Sequence, residues 1–364
     1  MKTITLLGAG KIGRMIAHFL GNCGDYRVRV CDASKGAAEH AASGVKHADA
    51  LAVDFRDPDA IGKAIDGAFA VISAAPFFLN PVIAERAKAK GVHYLDLTED
   101  VAVTQKVKEL AKGASVAFIP QCGLAPGFIT IAATHVIEGL ETIHDVRMRV
   151  GALPRFPANR LKYNLTWSTD GLINEYLHPC EAVAGGKFVT VPALEQLEPI
   201  LLEGVEYEAF NTSGGLGTLA ETLAGRVRNL SYKTIRYPGH CELMKFLLHD
   251  LKLGERPEVV KEIFERALPA TDQDRVVIYV SASGMEKGRL VERAFTRVIL
   301  HREIDGLAWT GIQITTAAGI CAMLDLLHEG RVPTKGFVRQ EDVKFDDFIV
   351  NRFGRWYGDA SSAQ

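Results

Sequence analysis

Three glycines near the amino terminus have the spacing of a phosphate-binding turn. Gly8, Gly10 and Gly13 follow the apolar run Thr3–Leu7 and precede an amphipathic helical pattern. In such a turn the first glycine permits the tight bend, the second lets a pyrophosphate approach the backbone, and the third lets the helix pack closely. Backbone N–H groups at the start of the helix then bind the phosphates. This segment predicts a dinucleotide-binding site.

Asp32 is expected to select the dinucleotide. It lies about 20 positions beyond the second glycine, where a carboxylate accepts hydrogen bonds from the adenosine ribose and repels a 2′-phosphate. We therefore predict NAD as the cofactor, with NADP less favoured. Lys35, three residues later, is the feature that argues for NADP. A surface aspartate at a strand end is the alternative interpretation of Asp32.

Further cofactor contacts are expected where the predicted strands end, because open parallel sheets bind ligands beyond the carboxyl ends of their strands. Asp54 and Phe55 are placed beside the adenine, and Ala74–Phe77 on the route to the nicotinamide. The alternative is that these are loop residues that only cap helices. The complete set of predicted cofactor-binding residues is Gly8, Gly10, Lys11, Ile12, Gly13, Asp32, Ala33, Asp54, Phe55, Ala74, Ala75, Pro76 and Leu97.

Alternating strands and helices must position these residues. Apolar runs that predict strands occur at Thr3–Leu7, Val28–Cys31, Leu51–Val53, Phe69–Ile72, His93–Leu95 and Val116–Ile119. Helical segments with cap-plus-proline starts, such as Asp57-Pro58, separate several of them. Continuous apolar strands alternating with helices indicate a parallel sheet covered on both faces. The first third of the chain therefore predicts an α/β fold, an N-terminal Rossmann doubly wound parallel sheet.

The pattern changes after the segment 123–127. A helix to about Gly139 and strand-like stretches between positions 146 and 300 indicate a second α+β domain. The small apolar segment Thr315–Leu327 favours a C-terminal return to the first domain. We predict an NAD-binding Rossmann domain over residues 1–124, a substrate and dimerisation domain over 125–306, and a returning segment over 307–364.

The composition excludes several classes of protein. The 364 residues carry a formal net charge of −2, so no nucleic-acid partner is expected. The longest nearly apolar stretch, Ala68–Leu79, is too short for a bilayer, and the chain opens on a predicted strand rather than a signal peptide. Six cysteines without CxxC spacing predict no metal site. We expect a cytoplasmic protein with reduced thiols and no membrane association.

Four later stretches carry a resemblance to a known family. Behind the glycine motif, the chain resembles the saccharopine dehydrogenase family over nearly its whole length, in particular the L-lysine 6-dehydrogenase branch. Gln121-Cys122 departs from the acidic and aliphatic pair of that branch, which puts a catalytic role for Cys122 in doubt. The stretches that carry the resemblance are Cys122–Gly127, Tyr163–Ile173, Glu208–Gly215 with Thr218-Leu219, and Lys233–His240.

The resemblance implies an NAD(P)-dependent oxidoreductase that acts on a carbon–nitrogen bond of a small amino-acid substrate and forms a homodimer through the second domain. The leading hypothesis is oxidation of the ε-amine of lysine by hydride transfer to NAD, which gives an imine, then the semialdehyde and ammonia. The alternatives are a saccharopine dehydrogenase, whose substrate is a secondary amine with three carboxylates, and a non-catalytic NAD(H)-binding regulator.

The implied chemistry requires a proton acceptor, because an ammonium group of pKa ~10.4 has no lone pair until it loses a proton. Asp96, at the carboxyl end of a predicted strand, is the first candidate for the contact with the amine, and Glu99 the second. A helix cap is the alternative role of Asp96. His240 is a candidate proton carrier because histidine titrates near neutrality, although a structural histidine beside a turn is the more common case.

The substrate carboxylate also requires an anchor. Arg236 is the predicted anchor because a planar guanidinium binds a carboxylate through two hydrogen bonds; a plain surface arginine is the alternative. Tyr163 and Trp167 lie four residues apart and would share one face of a helix, where they are expected to wall the pocket. Core aromatics are the other interpretation of this pair.

Overall fold

The computed structural model describes residues 1–358. Its contacts divide the chain into two compact units. Unit 1 consists of Met1–Phe128 and the chain from Gln313 onward, and unit 2 consists of Ile129–Ile312. The sequence analysis placed the boundaries at 124/125 and 306/307, a few residues earlier in both cases.

The strands are β1 (Lys2–Leu7), β2 (Tyr26–Asp32), β3 (Ala48–Ala52), β4 (Ala70–Ser73), β5 (His93–Asp96), β6 (Ala117–Ile119), β7 (Thr142–Pro154), β8 (Cys180–Ala184), β9 (Lys187–Val191), β10 (Glu198–Leu202), β11 (Val205–Phe210), β12 (Val227–Arg236), β13 (Asp274–Glu286), β14 (Arg289–Leu300), β15 (Arg302–Ile304), β16 (Leu307–Trp309) and β17 (Gly336–Phe337). The α-helices are α1 (Lys11–Asn22), α2 (Lys35–Ala42), α3 (Pro58–Ile65), α4 (Asn80–Lys90), α5 (Val101–Ala111), α6 (Phe128–Ile137), α7 (Thr169–Leu177), α8 (Leu219–Leu223), α9 (His240–Lys245), α10 (Pro257–Ala267), α11 (Gly311–His328) and α12 (Phe345–Val350).

Unit 1 is built on a seven-stranded sheet in the order β17-β6-β5-β4-β1-β2-β3, with every neighbouring pair parallel. The first six strands have the order of a dinucleotide-binding Rossmann sheet, and the order reverses between β1 and β4. The seventh strand comes from the C-terminal segment and pairs with β6. The predicted fold class, including the return of the chain to the first domain, is confirmed.

Continuous burial explains why the apolar runs at β1 and β4 become strands, whereas β3, at the edge of the sheet, has no buried residue. All four residues of β4 are buried, and Ile4, Leu6 and Leu7 of β1 have no exposed surface. A strand with both faces covered buries side chains of both parities, so its sequence is a run rather than an alternation. Some helix starts agree with the predicted signals. For example, Asp57 caps α3 ahead of Pro58, whereas Asn80, predicted to cap a helix ahead of Pro81, is the first residue of α4.

Unit 2 contains a mixed eight-stranded sheet. Its main path is β10-β11-β12-β7-β13-β14; β8 pairs with both β12 and β9. The pair β12 and β7 is parallel, and the other pairs are antiparallel. One face of the sheet carries an apolar cluster formed with α7, α9 and α10. The four strand-like stretches predicted after position 140 fall on β7, β12, β13 and β14.

Two features of unit 2 differ from the sequence predictions. The strands β8 to β11 were missed, because each is only five or six residues long and β9 and β10 contain no fully buried residue, which gives a weak pattern. The helical interpretation of Tyr163 and Trp167 is wrong: both residues precede α7, in a segment where Leu165 forms an isolated bridge with Ala270. Because these two residues are not in a helix, their spacing of four does not put them on a common helical face.

Helix α11 is the one helix in residues 1–358 that is long and apolar enough to cross a membrane, by length and composition only. It has 18 residues, and 83% of it is buried inside the protein, as in the core helix of many folded proteins. It extends the apolar segment Thr315–Leu327 at both ends, and it is longer than Ala68–Leu79, which the sequence analysis took as the longest apolar stretch.

Candidate active site

The glycine turn connects β1 to α1 with the geometry expected of a phosphate cradle. Gly8 has a φ of +109°, which an L side chain rarely adopts. A Cβ on Gly13 would overlap the Gly8 carbonyl, whereas a Cβ on Gly10 would meet nothing within 4 Å. No side chain caps the first turn of α1, which begins with Lys11 and Ile12. The turn thus combines close packing, an open approach and a helix N-terminus.

The Asp32 carboxylate is engaged by the backbone around it. Its Oδ2 accepts a hydrogen bond from Ala9 N–H at 2.9 Å, and its Oδ1 accepts one from Ser34 N–H at 2.9 Å. Asp32 therefore ties the glycine turn to the start of α2. Ala33 lies between Asp32 and Ser34. Lys35 is the first residue of α2, and its exposed ammonium group lies at the same edge of the sheet.

Two predicted adenine contacts differ in how much surface they present. Asp54 is exposed and accepts hydrogen bonds from Arg56 through Nε at 3.1 Å and Nη2 at 3.3 Å. Phe55 is only 7% exposed and packs in the core with Leu7 and Ile61. The structure therefore argues against Phe55 as an adenine wall, since its ring is already covered by the protein.

The remaining predicted cofactor contacts lie at the same edge of the sheet. Ala74, Ala75 and Pro76 follow β4, and Leu97 follows β5; each keeps some exposed surface. The Ala74 carbonyl lies so close to Gly8 that a Cβ on that glycine would come within 2.5 Å of the oxygen. These residues line the carboxyl edge next to the glycine turn, where the sequence analysis placed them.

Asp96 lies in the interior, not at the surface of a pocket. The side chain has no exposed surface and accepts hydrogen bonds from Tyr94 Oη at 2.7 Å, Thr98 N–H at 2.9 Å and Gln121 N–H at 3.0 Å. Burial raises the pKa of its carboxyl, and the three donors act against that shift. This is the geometry of a structural carboxylate, and it argues against the predicted contact with a substrate amine.

Replacing Asp96 by alanine is expected to reduce stability rather than to alter chemistry specifically. The substitution leaves three buried donors without an acceptor, each at a cost of about 1–3 kcal/mol. Urea unfolding of Asp96→Ala should show a free energy of unfolding several kcal/mol lower, against a change within about 0.5 kcal/mol for the exposed carboxylate variant Asp66→Ala. Normal stability together with a loss of turnover would instead restore Asp96 to the reaction.

Glu99 is the second candidate, and the structure favours it. It follows β5 at the carboxyl edge of the sheet and is partly exposed. Burial raises the pKa of its carboxyl to about 7, and the neighbouring charges of Asp100 and Asp96 add to the shift. A carboxylate with a pKa near neutrality is suited to accept a proton at physiological pH.

In unit 2, the strongest constellation surrounds Arg236, the last residue of β12. The side chain is 3% exposed; its Nε donates to Tyr176 Oη at 3.0 Å, and its Nη1 donates to the Ile235 carbonyl at 2.9 Å. Its Cζ lies 5.1 Å from the centre of the Tyr163 ring. Among the described contacts, no hydrogen bond engages Nη2, so this nitrogen remains available to a ligand.

His240 is held as a neutral acceptor, which corrects its predicted role. Nδ1 lies 2.9 Å from the Leu161 carbonyl and must donate to it, so Nε2, 3.0 Å from Tyr176 Oη, accepts from that hydroxyl. Burial and the charge of Arg236 lower the pKa of His240 to about 3. A ring with both nitrogens engaged and so low a pKa does not carry protons near neutrality.

Two polar side chains of unit 2 bury an oxygen for which the described residues supply no hydrogen-bond partner: Asn164 Oδ1 and Thr212 Oγ1. Tyr163 itself is 1% exposed and its ring packs edge-on against His240. The sequence analysis missed Tyr176 and these oxygens as site residues. All of them except Tyr176 lie in the stretches that carry the family resemblance, which was the signal available for finding them.

Cysteine and metal chemistry receive no support from the described residues. The six cysteines are free thiols, and Cys122 is fully enclosed, where burial raises its pKa and Gln340 Nε2 lies 3.4 Å from its sulfur. Within residues 1–358, no group of three or more His, Cys, Asp or Glu side chains is arranged to hold a metal ion.

Comparison with known proteins bears on the predicted cofactor preference of unit 1. Residues 4–118 match the family model described as the saccharopine dehydrogenase NADP binding domain. The chain is 21% identical over 335 residues to the NADP(+)-dependent, L-glutamate-forming saccharopine dehydrogenase of Schizosaccharomyces pombe, covering 86% of this chain and 72% of that protein. The predicted preference for NAD over NADP is therefore wrong.

The error has a physical cause in the structure. The NAD preference assumed that the Asp32 carboxylate faces the adenosine ribose. Each of its oxygens accepts one backbone hydrogen bond, from Ala9 N–H in the glycine turn and from Ser34 N–H ahead of α2, so Asp32 also has a structural role that the prediction left out. Two exposed cations, Lys35 and Arg56, follow β2 and β3 at this edge, and each is paired with a nearby exposed carboxylate, Glu39 and Asp54 respectively.

The rest of the chain matches the same family. Residues 123–355 match the saccharopine dehydrogenase C-terminal domain. The mitochondrial alpha-aminoadipic semialdehyde synthase of Bos taurus is 22% identical over 256 residues. This match covers 66% of the present chain but only 27% of that longer protein. The fold matches that of the L-glutamate-forming saccharopine dehydrogenase of Saccharomyces cerevisiae with a TM-score of 0.79 at 16% identity, covering 94% of both chains. As its motifs indicated, the chain belongs to the saccharopine dehydrogenase family of oxidoreductases.

Proposed function

We propose that the chain is an NADP-dependent dehydrogenase that oxidises the carbon–nitrogen bond of an amino-acid secondary amine of the saccharopine type. The observation that carries this proposal is the match of its whole dinucleotide domain to the NADP-binding domain of saccharopine dehydrogenases. The relative from Schizosaccharomyces pombe described above is a saccharopine dehydrogenase, which favours this substrate class over the lysine ε-amine.

The residues of unit 1 fit the cofactor. The open side of Gly10 and the uncapped start of α1 would take the pyrophosphate, and Ser34, Lys35 and Arg56 would take the 2′-phosphate. When bound, the nicotinamide accepts a hydride from the carbon that bears nitrogen. The residues Ala74 to Pro76 would line the nicotinamide end of the groove.

Reversing the charge at Lys35 or Arg56 is expected to weaken NADPH binding by about tenfold or more, while NADH binding stays the same or improves, because only NADPH carries the phosphate that these cations attract. Fluorescence titration of Lys35→Glu and Arg56→Glu with each dinucleotide measures this without turnover. Lys46→Glu, an exposed cation that precedes β3 at the opposite edge, is the matched control. An unchanged ratio of NADPH to NADH affinity would show that the selectivity lies elsewhere.

Two side chains have the chemistry that the proposed reaction requires. Glu99 accepts the proton that the substrate ammonium must lose before hydride can leave, since its pKa of about 7 leaves a large deprotonated fraction at neutral pH. Arg236 binds a carboxylate through its uncommitted Nη2. Water then hydrolyses the resulting imine to an amine and a carbonyl compound.

Lysine remains the second candidate substrate, on one specific observation. Unit 2 has two buried arginines among its described residues, Arg149 and Arg236. Arg149 is paired with Glu198 at 2.6 Å, and the same carboxylate pairs with Lys233 at 2.6 Å, so neither cation is available to a substrate. A single uncommitted buried guanidinium matches the one carboxylate of lysine more simply than the three of saccharopine.

We further propose that the protein is a homodimer through the sheet of unit 2. On the face opposite α7, α9 and α10, a cluster around Leu153, Tyr207 and Ile235 leaves Ile200 and Tyr237 half-buried. An apolar patch on strands of one sheet favours a second copy of the same surface across a two-fold axis. Light scattering should give twice the monomer mass, and Ile200→Lys should reduce it; a monomeric wild type would contradict this proposal.

A further inference from the structure

Glu208 lies directly opposite Arg236 in the sheet, but its carboxylate binds backbone N–H groups and not the guanidinium. Glu208 of β11 and Arg236 of β12 are cross-strand partners, so both side chains leave the sheet on the same face. The Glu208 carboxylate accepts hydrogen bonds from Gly239 N–H at 2.8 Å and Cys241 N–H at 2.6 Å. The carboxylate thus clamps the turn that follows β12 and does not neutralise the guanidinium beside it.

The clamped turn carries His240, which connects back to Arg236. His240 lies between the two residues whose N–H groups Glu208 binds, at the start of α9. Its Nε2 accepts from Tyr176 Oη, and the Tyr176 oxygen accepts from Arg236 Nε. Because Nδ1 is fixed on the Leu161 carbonyl, the ring has one orientation and one tautomer. Four buried groups therefore form one continuous chain that ends on a single edge of the guanidinium.

We propose that Glu208, His240 and Tyr176 are positioning residues that hold the Arg236 guanidinium in one orientation and keep its Nη2 free for the substrate carboxylate. This rests on the proposed role of Arg236 as the anchor. An arginine side chain has several rotatable bonds, and a ligand that must fix them loses affinity. Arg236 is already fixed at Nε and Nη1 before the ligand arrives.

The surroundings of Arg236 account for the need for such support. The guanidinium lies beside two aromatic rings, with its Cζ 5.1 Å from the centre of Tyr163 and 5.9 Å from that of Tyr176. Glu175 is a buried carboxylate whose charge acts on the guanidinium. Without the hydrogen bond to Tyr176, the guanidinium is free to turn toward either buried carboxylate, Glu175 or Glu208, and either contact would occupy the donors that the substrate requires.

The first test removes one hydroxyl. Tyr176→Phe keeps the ring but deletes the link between Arg236 and His240, so the KM for the amino-acid substrate should rise about tenfold with kcat and the NADPH dissociation constant nearly unchanged. Tyr357→Phe is the matched control: it deletes a buried hydroxyl that donates to the Thr315 carbonyl at 2.6 Å in unit 1, outside this network and the proposed dimer patch. That control should leave KM unchanged.

The second test is a double-mutant cycle. Glu208→Gln keeps the size of the side chain but places an N–H₂ group against a backbone N–H, and it should raise KM by a similar factor, whereas Glu206→Gln on the exposed part of β11 should not. In the Arg236→Ala background, both Tyr176→Phe and Glu208→Gln should have no further effect on KM, because a positioning residue acts only through the residue it positions.

The outcomes separate this inference from the proposed function. If Arg236→Ala raises KM but Tyr176→Phe and Glu208→Gln leave it normal, or if their effects simply add to that of Arg236→Ala, the positioning network is refuted and the anchor stands. If Arg236→Ala itself leaves KM unchanged, the anchor and the network both fail. Should Glu208→Gln fail to fold, the Tyr176→Phe arm of the cycle decides the matter alone.

Discussion

Glu99→Gln is expected to lower kcat by roughly 10²–10⁴-fold, the usual loss when acid–base assistance is removed. In the wild type, turnover should rise with pH through about 7 as the Glu99 carboxyl loses its proton, since only the carboxylate form accepts the proton of the substrate ammonium. Glutamine has no such titration, so the variant should lose this acidic limb of the pH profile. Initial rates across the pH range at saturating dinucleotide measure both effects.

Two further variants make the Glu99 result specific. Glu99→Asp retains a carboxylate and should keep an acidic limb with reduced kcat. Glu109→Gln removes an exposed carboxylate from α5, where it pairs with Lys112, and should leave the profile unchanged. If Glu99→Gln keeps both the wild-type kcat and its acidic limb, Glu99 is not the proton acceptor and the proton leaves directly to water.

Arg236→Ala is expected to raise the KM for the amino-acid substrate by one to three orders of magnitude, with a smaller effect on kcat. Truncating one partner of a desolvated, charged hydrogen-bonded pair costs about 2–5 kcal/mol, and a contact made equally in the ground state and the transition state appears in KM. NADPH affinity, measured by fluorescence titration, should change little because Arg236 belongs to unit 2.

The substrate itself supplies the internal control for Arg236. An amine that lacks the α-carboxylate should be a poor substrate for the wild type but lose that disadvantage in Arg236→Ala. Arg228→Ala removes an exposed arginine from the same strand, where it pairs with Asp145, and should leave KM unaltered. A folded Arg236→Ala variant with a normal KM would move the search to the exposed cations Arg155, Arg160 and Lys162.

Much of unit 1 was predictable because its elements are specified locally. Continuous apolar runs predict buried parallel strands, and capping residues with proline mark the helix starts, so the six Rossmann strands follow from the sequence. Unit 2 was less predictable. The strands β8 to β11 are only five or six residues long, and β9 and β10 contain no fully buried residue. The pairing of β8 and β11 with β12 joins residues that are distant in sequence.

The site shows the same division between local and long-range information. The roles of Gly8, Gly10 and Gly13 depend on one short turn, and the geometry there agrees with expectation. Asp96 was misjudged because its burial arises only in the folded protein, and because one of its three hydrogen-bond donors, Gln121 N–H, is 25 positions away in the sequence. The sequence placed Asp32 correctly at the end of β2, but it carried no sign that backbone N–H groups engage both oxygens.

His240 and Tyr176 illustrate what only a three-dimensional arrangement provides. A histidine next to a turn has a reference pKa near 6.5, which suggested a proton carrier. Its neighbours in space are Arg236 and Tyr176, and together with burial they make it a neutral acceptor. Tyr176 drew no attention in the sequence because its importance depends on a hydroxyl that lies between residues 60 and 64 positions away.

The most direct test of the account is the reduction of dinucleotide by the wild-type protein with each candidate amine. Saccharopine and lysine are each incubated with NADP⁺ and with NAD⁺, and the absorbance of the reduced nicotinamide is followed. The account predicts reduction of NADP⁺ with saccharopine, at a kcat/KM well above that with NAD⁺. Turnover with lysine alone would assign the second candidate substrate. Tight binding of NADPH without reduction by either amine would contradict the proposed dehydrogenase and favour a non-catalytic dinucleotide-binding regulator.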